Sequence, residues 1–183
     1  LLELPGEQDP SRAAKVLGQT ALLEFRAQKK GTEKEILKLK NLRSQLTRII
    51  EELPKNVDQE IVNSVIDINN QKIVDARKIL GVQPKNDNNL AQVNDLLEAT
   101  NKEIVKLFEP AFLTGKDLIS AGRQQEQNLS TWEVTLSFNQ EGAKKFAELT
   151  QSIAGTRRLL GIVLDGYSIS EASVGDQFRT AGI

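Results

Sequence analysis

The sequence contains no histidine and no cysteine. A Ser-His-Asp or Cys-His nucleophile, a Cys/His zinc site and a disulfide are therefore excluded. Carboxylate chemistry, Ser-Lys pairs and carboxylate metal sites survive that test, so an enzyme is disfavoured rather than forbidden, and we expect no catalytic residue, no metal and no cofactor. A chain without thiols suits the periplasm and the cytosol alike, which leaves the redox compartment open. Methionine is missing too, even at position 1, and the chain stops at the apolar Ile183; it reads as a piece of something longer. No apolar run approaches the roughly 18 to 20 residues of a membrane-spanning helix, and nothing near the start resembles a signal peptide, so the piece itself is expected to be soluble. An excess of positive charge is also lacking. The 24 Lys and Arg stand against 25 Asp and Glu, a net charge of −1, which supplies none of the field that draws a protein onto nucleic acid or anionic lipid.

What is present, 183 residues with 39% hydrophobic content, suffices for one ordinary domain or two small ones. Leu1 to Leu4 is a short apolar run broken by Pro5-Gly6, and Asp9-Pro10 sets an N-cap followed by a proline at the first helical position. A short helix should follow, with Ala13, Ala14, Val16 and Leu17 on its apolar side and Gly18 as its cap, and Thr20 to Ala27 then reads as a strand. Strand, helix and strand with so short a crossover are typical of half of a split βαβ or ferredoxin-like sheet.

From Gly31 the character becomes helical. Thr32 and Glu35 form the ends of a capping box, and Leu39, Leu42, Leu46, Ile49 and Leu53 recur in a heptad seam. Ile61, Val62, Val65, Ile66, Ile68, Ile73, Ala76 and Leu80 make the broad face of a second helix that ends at Gly81. A third runs from about Asn88 to Phe108, and the polar link from Pro84 to Asn89 favours antiparallel neighbours. After Phe112, Thr131 to Phe138 alternates strictly, with Trp132, Val134, Leu136 and Phe138 on one face. Asn139 caps a helix that Gly155 closes, Leu159 to Leu164 is an apolar strand, Asp165-Gly166 a hairpin turn, and Tyr167 to Val174 the returning strand. The expected class is α+β: a partial ferredoxin-like base (half of a βαβ) in residues 1–28, a three-helix antiparallel insertion in 29–110, and a βαββ head with sheet and one helix in 111–183.

Few residues invite chemistry. Asp165-Gly166 is explained by a turn that needs positive φ. Gly115-Lys116-Asp117 fails as a phosphate loop, because Pro110 stands where the upstream glycine belongs and Asp117 where Ser or Thr should hold magnesium. Glu51-Glu52, and Glu133 with Glu141, read as solvated surface charge; Trp132 reads as core. The basic residues between Arg26 and Arg48 are interleaved with Glu24, Glu33 and Glu35, as on an ordinary solvated face.

Three separated blocks resemble the first extracytoplasmic domain of the SecD family. The first runs from Leu4-Pro5-Gly6-Glu7-Gln8-Asp9-Pro10 through Ala13-Ala14 to Thr20-Ala21-Leu22-Leu23-Glu24-Phe25-Arg26. The second is Leu113-Thr114-Gly115-Lys116-Asp117-Leu118. The third joins Trp132-Glu133-Val134 and Leu136-Ser137-Phe138 to Glu141-Gly142-Ala143-Lys144-Lys145-Phe146. Ile162-Val163-Leu164-Asp165-Gly166 follows at the expected place. The helical stretch from Gly31 to Phe108 lies outside the blocks and looks most like the longer cyanobacterial versions. Ser168 to Ala172 departs from the family, which usually has a proline there.

The resemblance implies a two-part domain on the periplasmic side of the plasma membrane, or at the thylakoid in a cyanobacterial setting, carried by a membrane-embedded parent. A base sits near the membrane and a mobile head reaches toward the Sec channel. In the family SecD works with SecF, binds the emerging unfolded preprotein and uses the proton gradient, with the proton-carrying residues in membrane helices. It also implies a hinge, for which the change from strand to helical pattern nominates Ala27, Gln28, Lys29 and Lys30; no residue is assigned to preprotein binding. The alternative is a scaffold that engages a partner through the heptad-bearing helices.

Overall fold

In a computed structural model of the chain, residues 22–52, 59–83, 89–125 and 132–176 are described. They form two compact units, one of Gly31–Leu107 and one drawn from the stretches that flank it. The helix expected after Asp9, the link at residues 84–88 and Leu53 lie outside the described residues.

The inserted unit is all helix. Helix α1 (Glu33–Glu51) buries Ile36, Leu39, Leu42, Leu46 and Ile49, the expected seam. Glu33 and Glu35 in its first turn and Arg48 in its last complement the helix dipole. The capping box is not formed: Thr32 occupies the N-cap at φ −100°, ψ 12°, and its side chain makes no capping bond. The extended backbone that aims an N-cap hydroxyl at the first turn is missing there.

The second expected helix is two helices, α2 (Gln59–Ile68) and α3 (Asn70–Leu80), broken at the buried Asn69. Its amide Nδ2 donates to the Val65 carbonyl at 2.9 Å and its Oδ1 accepts from Lys72 Nζ at 2.7 Å. An Asn side chain that bonds neighbouring backbone in this way competes with the helix ladder. Gly81 closes α3 at φ 65°. Helix α4 (Asn89–Lys106) packs most extensively on α1, and the core joins Leu46 and Ile49 to Val62, Ile73, Ala76 and Val93.

The other unit is built on a four-stranded antiparallel sheet of order β2-β1-β5-β6. Its strands are β1 (Leu23–Ala27), β2 (Leu113–Thr114), β5 (Leu159–Leu164) and β6 (Tyr167–Ser173). A separate ribbon pairs β3 (Leu118–Gln125) with β4 (Trp132–Phe138), and α5 (Gln140–Ile153) follows β4. Strand β1, expected with the base in residues 1–28, sits at the centre of this sheet: Phe25 stands opposite Leu113 on one side and Ile162 on the other. Leu23, Phe25 and Ala27 face a core with Leu149, Ile153 and Leu160, whereas Glu24 and Arg26 point the other way and pair at 2.7 Å. Strand β3 was not foreseen, because Leu118 to Gln125 mixes Gly122 and polar residues without alternation.

Hairpin β5–β6 turns at Asp165 (φ 49°) and Gly166 (φ 81°), the two positive φ angles that the expected turn requires. Asp165 also ties down the start of β1, since its Oδ1 accepts the Leu22 N–H at 2.8 Å and its own N–H donates to the Leu22 carbonyl at 3.0 Å.

Candidate functional site

The four hinge candidates divide into two pairs. Ala27 ends β1 opposite Leu160, and its carbonyl accepts the Glu109 N–H at 2.8 Å. Gln28 is fully buried and paired in an antiparallel bridge with Phe108. Its N–H donates to the Leu159 carbonyl at 2.9 Å, its Oε1 accepts the Leu159 N–H at 2.9 Å, and its carbonyl accepts from Arg158 Nε at 2.6 Å. Both residues are thus bonded into the sheet. Lys29 and Lys30 are exposed, and Gly31 follows at φ 81° with open space where a Cβ would stand.

The returning strand of chain is fixed on the same unit. Phe108 is 2% exposed, and its ring lies over Gly161, where an added Cβ would stand 2.5 Å from Cε1. Only a glycine at 161 leaves room for that ring. Phe108, Arg158 and Gly161 carried no signal in the sequence, because their role comes from contacts between residues far apart along the chain.

A second knot joins β2, β3 and α5. The segment Gly115–Asp117 forms a 3-10 turn, and Asp117 Oδ2 accepts the Thr114 N–H at 3.0 Å. The Asp117 carbonyl accepts the Asn139 N–H at 2.9 Å. Asn139 caps α5 as expected, its Oδ1 accepting the Gly142 N–H at 2.7 Å. Gly142 is buried against Asp117: an added Cβ would lie 2.7 Å from its Cβ and 2.8 Å from its carbonyl oxygen. The Lys145 ammonium lies 2.9 Å from Glu141 and 3.2 Å from Asp117. Glu141 first, and then Asp117, raise the Lys145 pKa above the ordinary lysine value. Asp117, rejected as a phosphate-loop residue, is a structural anchor.

Above this knot, Phe25, Phe138 and Phe146 form one aromatic cluster. Centroids are 5.5 Å apart for Phe25–Phe138, 6.1 Å for Phe25–Phe146 and 4.9 Å for Phe138–Phe146. The blocks singled out in the sequence therefore meet in space, each giving at least one residue to the cluster, the knot or the Asp165 tie. Glu51 and Glu52 are exposed, Glu141 is engaged with Lys145, and the side chains of Trp132 and Glu133 lie outside the described residues. Among the described residues no three acidic side chains gather in a way that could hold a metal ion.

The family model described as "SecDF, P1 head subdomain" matches residues 89–183. The chain belongs to the SecD family. A second model, "Protein translocase subunit SecDF, P1 domain, N-terminal", matches residues 1–30. The head model begins at residue 89, so it takes in α4, which the sequence had placed in the insertion. Among relatives, "Protein translocase subunit SecD" of Prochlorococcus marinus is 54% identical over the whole chain, which spans 37% of that protein. SecD of Synechocystis is 38% identical over the whole chain, 34% of its length. "Protein translocase subunit SecDF" of Thermus thermophilus is 30% identical over 91% of the chain, 17% of its own. The chain thus spans about a third of the SecD relatives' length, and no solved structure matches it. Among the described residues no helix is long and apolar enough to cross a membrane.

Proposed function

We propose that this chain is the non-enzymatic extracytoplasmic domain of a SecD subunit, on the periplasmic side of the membrane. With SecF and the Sec channel it assists export by binding the unfolded preprotein weakly and swinging about a hinge, driven in the full protein by the proton gradient. Membership of the SecD family carries this reading. The lack of His and Cys supports its non-enzymatic half.

The positive φ of Gly31, the open space around it and the exposure of Lys29 and Lys30 just before it support a pivot at these three residues. Ala27 and Gln28 then act as the fixed side of the hinge and the lysines as its moving side. Two cysteines, one on each of the two stretches of chain that join the units of Gly31–Leu107 and its flanks, test this, and these 183 residues add no further thiol. Oxidising them in the full translocase should slow export, and reduction should restore it. Export unchanged after complete crosslinking would refute the pivot.

The scaffold reading retains one supporting observation: Leu37 and Ile68 of the helical unit are 60% and 82% exposed. If the excised helices capture a partner while their deletion leaves export intact, that reading prevails.

A further inference from the structure

Binding any unfolded chain, the reading on which this inference rests, demands recognition of what all such chains share. That is the backbone, and the edge of a β-sheet recognises it through main-chain hydrogen bonds. The ribbon β3–β4 is a sheet of two strands, and among the described residues nothing pairs with the outer edge of either. Two-stranded ribbons are marginal by themselves and gain from a third strand.

The two edges are not equivalent. Proteins blunt edges with bulges, prolines and charged side chains, lysine above all. Strand β3 has a bulge, its register with β4 jumping from Leu118 to Ser120, with Ile119 63% exposed at the jump, and it carries Arg123. Strand β4 runs without a skipped residue from Trp132 to Phe138, contains no proline, lysine or arginine, and has Glu133, near one end, as its single charged residue. Leu136 and Phe138 pack on the core, whereas Thr135 and Ser137 are exposed. An incoming strand would extend an apolar face on one side and meet hydroxyls and water on the other, which suits a wide range of sequences.

We propose that the outer edge of β4 takes up an extended segment of unfolded polypeptide as a third strand of this ribbon. Alternate amides of β4 already bond to β3, and the complementary set faces the client. The test uses the full chain and two probes: a short unfolded peptide of alternating valine and threonine with lysine ends, and the same peptide N-methylated at every second residue. The two N-methylation registers are tried in turn. One register should weaken binding by about tenfold or more, the worth of a few net main-chain hydrogen bonds. Hydrogen exchange should show new protection at every second amide of β4. Equal binding of both N-methylated forms, or protection confined to β3 or to the helical unit, would overturn the edge while leaving client binding standing. Failure of the unmethylated peptide to bind would remove both.

Discussion

Gly142 is the residue at which a single methyl group should matter most. Its Cβ would press on the Cβ and carbonyl of Asp117, neither of which can retreat without loosening the Thr114 and Asn139 bonds. Gly142→Ala should cost about 1–3 kcal/mol, the range for overpacking, read as a lowered denaturation midpoint. Lys145 offers a pH handle. Its folded pKa is raised above its unfolded value of about 10.4, so its contribution is complete below that pH and is lost as pH rises through the folded value. NMR titration should place the Lys145 midpoint lower in the Glu141→Gln variant than in the parent, and an unchanged midpoint would remove Glu141 as the cause. The sequence displayed Asn139 and the Asp165-Gly166 turn plainly, because their chemistry is local. It concealed Gly142 and Asp117, whose roles depend on each other across the ribbon.

Elements repeat the lesson. The seam of α1, strand β5 and the cap of α5 were legible, since periodicity and capping are written in adjacent residues. The break at Asn69 was not, because an apolar face runs unbroken across it, and the helix is interrupted only by a local departure of the backbone to φ −97°, ψ 6° that no pattern of neighbouring residues announces. Strand β3 was hidden for the opposite reason: pairing with β4 imposes a conformation that its own composition does not announce. Gln28 links two elements, and Gln28→Ala should leave the Leu159 N–H without its side-chain acceptor. The expected loss is about 1–3 kcal/mol, with faster hydrogen exchange at Leu159 as its local signature.

For the whole molecule, the bridge between Gln28 and Phe108 brings together the two points of the sheet unit that flank the insertion, about 5.5 Å apart or less at the Cα atoms. Replacing Gly31–Leu107 by a short glycine-containing turn should leave the sheet unit folded, with the amide pattern of β1, β5 and β6 retained in NMR spectra. Collapse of that pattern would mean that the helices are needed to hold the sheet. The α+β class was legible because helices and strands are segregated along the chain. The central place of β1 was not, since short-range patterns do not say which strands become neighbours.

That central strand also sets an order of events. Gln28 and Leu159 stand 131 positions apart, so the pairing that completes β1 closes a long loop, whereas every contact inside Gly31–Leu107 is nearer in sequence. A chain delivered from its N-terminus can close its helical unit first, while β1 waits for β2 and then β5. The segment is thus, during its own synthesis, a chain with an open strand awaiting a partner.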